Sequence, residues 1–123
     1  LNKIDASEAP IINGDGSQAY DFIDVRDVAR SNVLASKSEA TDEFYNVGTG
    51  VQTSIRELCD MILDLRNSNL KVSYQPYSEE DSRSMVQNRI ACPKKAKSEL
   101  GFEYRINLEK GLKDLIAWRD LTF

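Results

Sequence analysis

Hydrophobic and polar positions along the chain switch between a helical and a strand-like period. The clearest helical stretch begins at Ser54, where Glu57 three residues later completes a capping-box sequence. Apolar residues then recur at helical spacing, at Ile55, Leu58, Cys59, Ile62 and Leu65. The pattern predicts an amphipathic helix that buries this face.

Capping signals predict three more helices. Asp27 is predicted to cap a helix over residues 28–37. Pro93 at a first helical position and Gly101 at a C-cap are predicted to bound a short helix. Asn107 is predicted to cap the last helix, whose apolar face holds Leu108, Leu112, Leu115 and Ile116.

Strand-like alternation lies between the predicted helices, at residues 20–25 (YDFIDV), 44–47 (FYNV) and 70–74 (LKVSY). Before the first of these, residues 11–17 (IINGDGS) carry turn chemistry that predicts a hairpin or a tight loop, because Gly and Asn tolerate positive φ. The resulting order is β-α-β-α-β followed by two helices. This order predicts an α/β fold in a chain of 123 residues, about one domain.

Charge and composition narrow the classes of partner. Lys and Arg number 16 against 20 Asp and Glu, for a net charge of -4, and the basic residues are spread along the chain, which argues against nucleic acid. No apolar run approaches the roughly 20 residues that a membrane helix needs, and no signal-peptide pattern opens the chain. We therefore expect no membrane partner and a cytoplasmic location.

The chain has two cysteines and no histidine, which excludes several kinds of site. Cys59 and Cys92 lack C-x-x-C spacing, so we expect no metal site and two reduced, partly buried thiols. Without histidine, neither Ser-His-Asp nor Cys-His hydrolysis is available to this chain.

The stretch YNVGTGVQTS, residues 45–54, raises the question of a phosphate site. A strand, a G-x-G loop and a helix start are the parts of a dinucleotide cradle. The third glycine of that fingerprint is replaced by Thr53, and no Gly-Lys-Ser or Gly-Lys-Thr triplet exists. We therefore interpret Gly48 and Gly50 as a structural turn that needs positive φ, and expect no cofactor-binding residue here.

Three ordered segments, GDGSQAYDFIDVRDVARSNVLA (14–35), EFYNVGTGVQTSIREL (43–58) and CPKKAKSELGFEYRINLEKGLKDLIAWRD (92–120), resemble the carboxyl-terminal part of extended short-chain dehydrogenase/reductases. More narrowly, the chain is similar to NAD-dependent nucleotide-sugar epimerases and dehydratases of the UDP-glucose 4-epimerase type. The resemblance implies the C-terminal portion of a Rossmann-type fold: a substrate-binding lobe with edge elements of the parallel sheet.

The resemblance also implies that NAD binding and catalysis belong to a different region from substrate binding. In this family an N-terminal domain binds NAD, and the Tyr of a Tyr-x-x-x-Lys pair acts as the base. None of the five tyrosines here has a lysine four positions later. We therefore expect residues 1–123 to be the substrate-binding C-terminal region of such an enzyme, with the NAD-binding domain absent and no catalytic residue or cofactor of its own.

By resemblance, three residues are candidates for contact with a nucleotide-sugar, which we expect to be a UDP-sugar. Arg83 and Arg89 lie in the segment before the Lys-Ala signature, where the family places groups that bind the phosphates or the sugar. Tyr20 occupies the position at which many members carry a phosphate-binding arginine. The alternative for both arginines is an exposed side chain or a surface ion pair, since the segment also holds Glu79, Glu80 and Asp81.

Two other functions stay open at this point. The parent reaction could be that of a dehydratase or a reductase, since the discriminating groups would lie upstream. The chain could also be a free-standing, non-catalytic interaction module. We further expect a homo-oligomer, because strand edges and apolar helix faces that an absent domain would cover tend to self-associate.

Overall fold

A computed structural model describes residues 1–78 and 85–122 of the chain. In chain order the elements are α1 (Asn2–Asp5), β1 (Ile11–Asn13), β2 (Ala19–Tyr20), α2 (Val25–Lys37), β3 (Thr53–Ser54), α3 (Ile55–Leu65), β4 (Ser73–Gln75), β5 (Asn88–Arg89), α4 (Lys94–Leu100) and α5 (Leu108–Thr122). The predicted α/β fold class is confirmed. These elements form two compact units, Leu1–Tyr20 with Thr53–Arg89, and Asp21–Gln52 with Ile90–Phe123.

The first unit contains two small sheets and helix α3. Strand β1 pairs in parallel with β4, with Ile12 opposite Tyr74. Strand β2 lies between β3, its antiparallel neighbour, and β5, its parallel neighbour. The buried apolar residues of this unit are Ile4, Ile12, Ala19 and Leu63.

Helix α3 begins where the sequence predicted. The Ser54 side chain accepts a hydrogen bond from Glu57 N at 3.1 Å, and the Glu57 carboxylate accepts one from Ser54 N at 2.7 Å. This reciprocal pair is the capping box, so both donors at the start of the helix are satisfied locally.

The second unit packs helices α2, α4 and α5 with extended segments. Its core centres on Ala96, Leu100 and Phe102, against which Ile23, Leu34, Ala35, Tyr45 and Val47 are partly buried. Helix α4 starts after Pro93 and ends at Gly101, whose φ of 65° is the left-handed C-cap predicted from the sequence. Asn107 caps α5, because its side-chain oxygen accepts from Lys110 N at 2.9 Å.

The prediction of a strand over residues 20–25 and of Asp27 as a cap was wrong. Strand β2 ends at Tyr20, and α2 begins at Val25 with Asp24 as its N-cap. The Asp24 carboxylate accepts hydrogen bonds from both Arg26 N and Arg26 Nε, at 2.8 and 2.9 Å. Asp27 instead lies in the first turn of the helix and is buried.

Residues 44–47 do not form the predicted strand, because they pair with no neighbouring strand among the described residues. Tyr45 and Val47 instead pack on the core, and the Tyr45 hydroxyl donates to the Glu99 carboxylate at 2.7 Å. The strand predicted over 70–74 lies later, as β4, since pairing begins where Ser73 N donates to Pro10 O. Cys92 is exposed, so the prediction that it is partly buried was also wrong.

Candidate functional site

Strands β2 and β5 bring two of the three sequence-predicted site residues together. Tyr20 and Arg89 are register partners in the parallel pairing, so their side chains lie on the same face of the sheet. The Arg89 side chain is exposed and forms no ion pair with residues 1–78 or 85–122. No carboxylate of the described residues therefore neutralises the Arg89 guanidinium.

Tyr20 is half-buried, and its hydroxyl is engaged. The phenol donates to the carbonyl oxygen of Val86 at 3.0 Å. This bond joins β2 to the segment that leads into β5. The third candidate, Arg83, lies outside the described residues, as do Glu79, Glu80 and Asp81.

Asp21, which follows Tyr20 directly, holds the glycine loop of the second unit. One carboxylate oxygen accepts from Thr49 N at 3.0 Å and from Thr49 Oγ1 at 2.6 Å. The other accepts from Gly50 N at 2.8 Å and from Ala91 N at 3.4 Å. Burial alone raises the pKa of the Asp21 carboxyl, but the hydrogen bonds from Thr49, Gly50 and Ala91 outweigh it and lower the pKa below the ordinary 3.8.

These contacts answer the question of a phosphate cradle at residues 45–54. The amides of Thr49 and Gly50 that would face a phosphate already bind the Asp21 carboxylate. Gly50 has a φ of 73°, as a structural turn requires. The loop therefore binds the Asp21 carboxylate, and it offers a dinucleotide no free amides at these two positions.

The prediction of positive φ was wrong for Gly48, which instead allows close packing in the same loop. A Cβ at this position would lie 2.4 Å from the Ala91 Cβ and 2.6 Å from Asp21 Oδ2. Only glycine leaves room for Ala91 and Asp21 to approach, and the Asp21 carboxylate accepts from the Ala91 amide.

The second unit also has an open cavity of about 460 Å³, which includes none of the predicted site residues. Its lining is formed by Gly48, Thr49, Pro93, Lys94, Lys97, Phe102, Glu103 and Tyr104. Lys97 and Glu103, which both line the cavity, form an ion pair, so the Glu103 carboxylate offsets part of the positive charge of the lining. Among the described residues no group of three His, Cys, Asp or Glu side chains could hold a metal ion, and no described helix could cross a membrane.

Acid is expected to destabilise the protein, because several carboxylates have lowered pKa values. The hydrogen bond from the Arg26 side chain lowers the pKa of Asp24 to about 2, against the opposing effect of burial, and the pKa values of Asp21, Asp27 and Asp114 are lowered too. A carboxyl with a lower pKa in the folded state stabilises the fold fully above its unfolded pKa, about 4, and loses that contribution as pH falls toward 2.

Urea unfolding at pH 7, 5, 4 and 3 checks this expectation. The free energy of unfolding should stay level from pH 7 to 5 and fall below pH 4, with a shallower fall in Asp24→Asn. A free energy that is the same at pH 5 and pH 3 would contradict it.

Comparison with known proteins identifies the family. The family model described as GDP-mannose 4,6 dehydratase matches residues 1–115. The chain belongs to this family. This membership confirms the resemblance to nucleotide-sugar epimerases and dehydratases on which the candidate residues were chosen.

Individual members of the family are similar over nearly the whole chain. A putative UDP-glucose 4-epimerase of Methanocaldococcus jannaschii is 33% identical over 118 residues, which are 96% of this chain and 36% of that protein. The structure of a UDP-glucose 4-epimerase of Thermotoga maritima with UDP-glucose is 31% identical with a TM-score of 0.88, over 98% of this chain and 37% of that one.

A third comparison concerns the fold alone. A UDP-glucuronic acid 4-epimerase of Bacillus cereus, in complex with UDP-glucuronic acid and NAD, is 20% identical with a TM-score of 0.87, over 98% of this chain and 38% of that one. These matches confirm the Rossmann-type extended short-chain dehydrogenase fold. The chain spans little more than a third of the length of each of these three relatives.

Proposed function

We propose that this chain forms the substrate-binding C-terminal region of a cytoplasmic, NAD-dependent nucleotide-sugar epimerase, with a UDP-sugar as ligand. The observation that carries the proposal is the parallel pairing of Tyr20 with Arg89, which juxtaposes two candidates that the family resemblance selected independently. The 31% identity with an epimerase whose structure contains UDP-glucose supports the choice of ligand.

In this proposal the first unit binds the anionic part of the substrate. The exposed Arg89 guanidinium forms charge-assisted hydrogen bonds to the diphosphate or to an acidic sugar. The Tyr20 hydroxyl accepts from the sugar, or rotates away from Val86 O and donates to a phosphate oxygen. Arg83 is proposed as a second diphosphate contact.

NAD is proposed to bind outside this chain. The G-x-G loop at 48–50 does not fit the cofactor, because the amides of Thr49 and Gly50 bond to Asp21. No tyrosine of the chain is followed four residues later by lysine, so the catalytic pair is also proposed to belong to a preceding domain. The homo-oligomer expected from the sequence stays a prediction.

Arg89→Ala is expected to weaken binding of UDP and UDP-glucose by the full-length protein about 10- to 100-fold. The reason is the loss of a charge-assisted hydrogen bond worth about 1.5–3 kcal/mol. Isothermal titration calorimetry measures the affinities, and Arg105→Ala, which removes the same charge from an exposed position in the second unit, is the control. Equal affinities of the two variants would contradict the role of Arg89.

Product analysis with UDP-glucose and NAD then separates the reaction classes. A mixture of UDP-glucose and its C4 epimer supports an epimerase. A dehydrated keto-sugar or a reduced sugar would point to a dehydratase or a reductase instead. Absence of both turnover and nucleotide-sugar binding would favour an interaction module.

A further inference from the structure

Asp21 lies at a point where the chain segments that follow β2 and β5 meet. It comes directly after Tyr20, and its partner Ala91 comes two residues after Arg89. We propose that Asp21 is a positioning residue for Arg89, an inference that rests on the proposed function because Arg89 is the group that contacts the substrate. Asp21 itself does not touch the ligand in this proposal.

The hydrogen bonds of Asp21 explain how one carboxylate can position Arg89. One oxygen accepts from Thr49, and the other accepts from both Gly50 and Ala91, so the carboxylate connects the glycine loop to the segment that leaves β5. All of these partners are donors. An asparagine at this position would replace one carboxylate oxygen with an NH2 group. The donors that bond to that oxygen would then face N–H groups and lose their acceptor.

The position of Arg89 depends on restraints that act on its backbone. The guanidinium is exposed and forms no ion pair with the described residues, so the place from which it reaches a ligand is set by its backbone. The parallel pairing with Tyr20 fixes that backbone on one side, and the bond from Ala91 to Asp21 fixes the chain two residues later. Gly48 permits this arrangement, because a Cβ at position 48 would lie 2.4 Å from the Ala91 Cβ.

A double-mutant cycle distinguishes positioning from plain stabilisation of the fold. Asp21→Asn is expected to weaken UDP-glucose binding by the full-length protein about three- to tenfold, the size of coupling found between residues of one network. In an Arg89→Ala background the same substitution should cause no further loss, because the group it positions is gone.

Asp27→Asn is the matched control. Asp27 is also a carboxylate of the second unit that accepts two backbone amides, those of Arg105 and Ile106, each at 2.9 Å. We expect Asp27→Asn to lower the urea midpoint at least as much as Asp21→Asn while leaving the affinity for UDP-glucose unchanged. A purely structural role of Asp21 would give the two variants the same affinity.

Each outcome of the cycle has a definite meaning. Losses from Asp21→Asn and Arg89→Ala that multiply, or a folded Asp21→Asn variant with wild-type affinity, would overturn the inference and leave the proposed function standing. A wild-type protein that binds neither UDP nor UDP-glucose would remove the proposed function and this inference with it. If circular dichroism shows that Asp21→Asn is unfolded, Gly48→Ala, which displaces Ala91 by contact, takes its place in the same cycle.

Discussion

Asp27→Ala is expected to lower the free energy of unfolding by about 3–5 kcal/mol, the range seen when one partner of a buried ion pair is removed. Asp27 is 1% exposed and accepts from Arg105 N, Ile106 N and the Arg30 guanidinium, the last at 2.7 Å. Burial alone raises the pKa of Asp27, and these bonds reverse that effect. The carboxylate thus stays charged and connects α2 to the segment before α5.

The expected loss has two sources. Truncation leaves the backbone amides of Arg105 and Ile106 without an acceptor. It also leaves the Arg30 guanidinium, which lies over the Phe102 ring, without its carboxylate partner. Urea unfolding monitored by circular dichroism measures the change. Asp60→Ala, which removes an exposed carboxylate from α3, should stay within about 0.5 kcal/mol of wild type. A loss below about 1 kcal/mol in Asp27→Ala would contradict this account of the second unit.

Phe102→Ala is expected to destabilise the protein by a similar amount, about 3–5 kcal/mol. Phe102 is 1% exposed and is the largest apolar side chain buried to that degree among the described residues. It follows the left-handed Gly101, and its amide donates to Ala96 O at 3.1 Å, so the end of α4 directs the ring into the core. Truncation removes this buried area and leaves a cavity between α2 and α4.

Phe44→Ala is the matched control, because Phe44 is 90% exposed. The two phenylalanines lose the same atoms on truncation, so the difference between their free energies of unfolding isolates the effect of burial. We expect the Phe44 variant to lie within about 0.5 kcal/mol of wild type. Equal losses in the two variants would show that Phe102 does not anchor the core.

Local signals in the sequence predicted the helix ends well. The Ser54–Glu57 capping box, the C-cap at Gly101 and the Asn107 cap each depend on residues at most three positions apart, and all three are found. Asp24 and Asp27 show where such signals become ambiguous. Both precede a run of helical residues. Asp27 is the buried one because it accepts hydrogen bonds from Arg105 and Ile106, which are distant in the sequence.

Strands and the candidate site depend on contacts that no local pattern contains. Strands β2, β3 and β5 have two residues each, too few for a period to show, and their positions follow from pairing across the chain. Tyr20 and Arg89 lie 69 positions apart, and the family resemblance selected both without indicating that they are register partners. Asp21 likewise reaches Thr49 and Ala91, 28 and 70 positions away.

The structure of the full-length protein with bound UDP-glucose would show whether Arg89 and Tyr20 contact the substrate. We expect the Arg89 guanidinium to lie within hydrogen-bond distance of the diphosphate or the sugar, with Tyr20 beside it on β2 and the Asp21–Ala91 bond retained. A UDP-glucose molecule bound without contact to either Arg89 or Tyr20 would contradict this expectation.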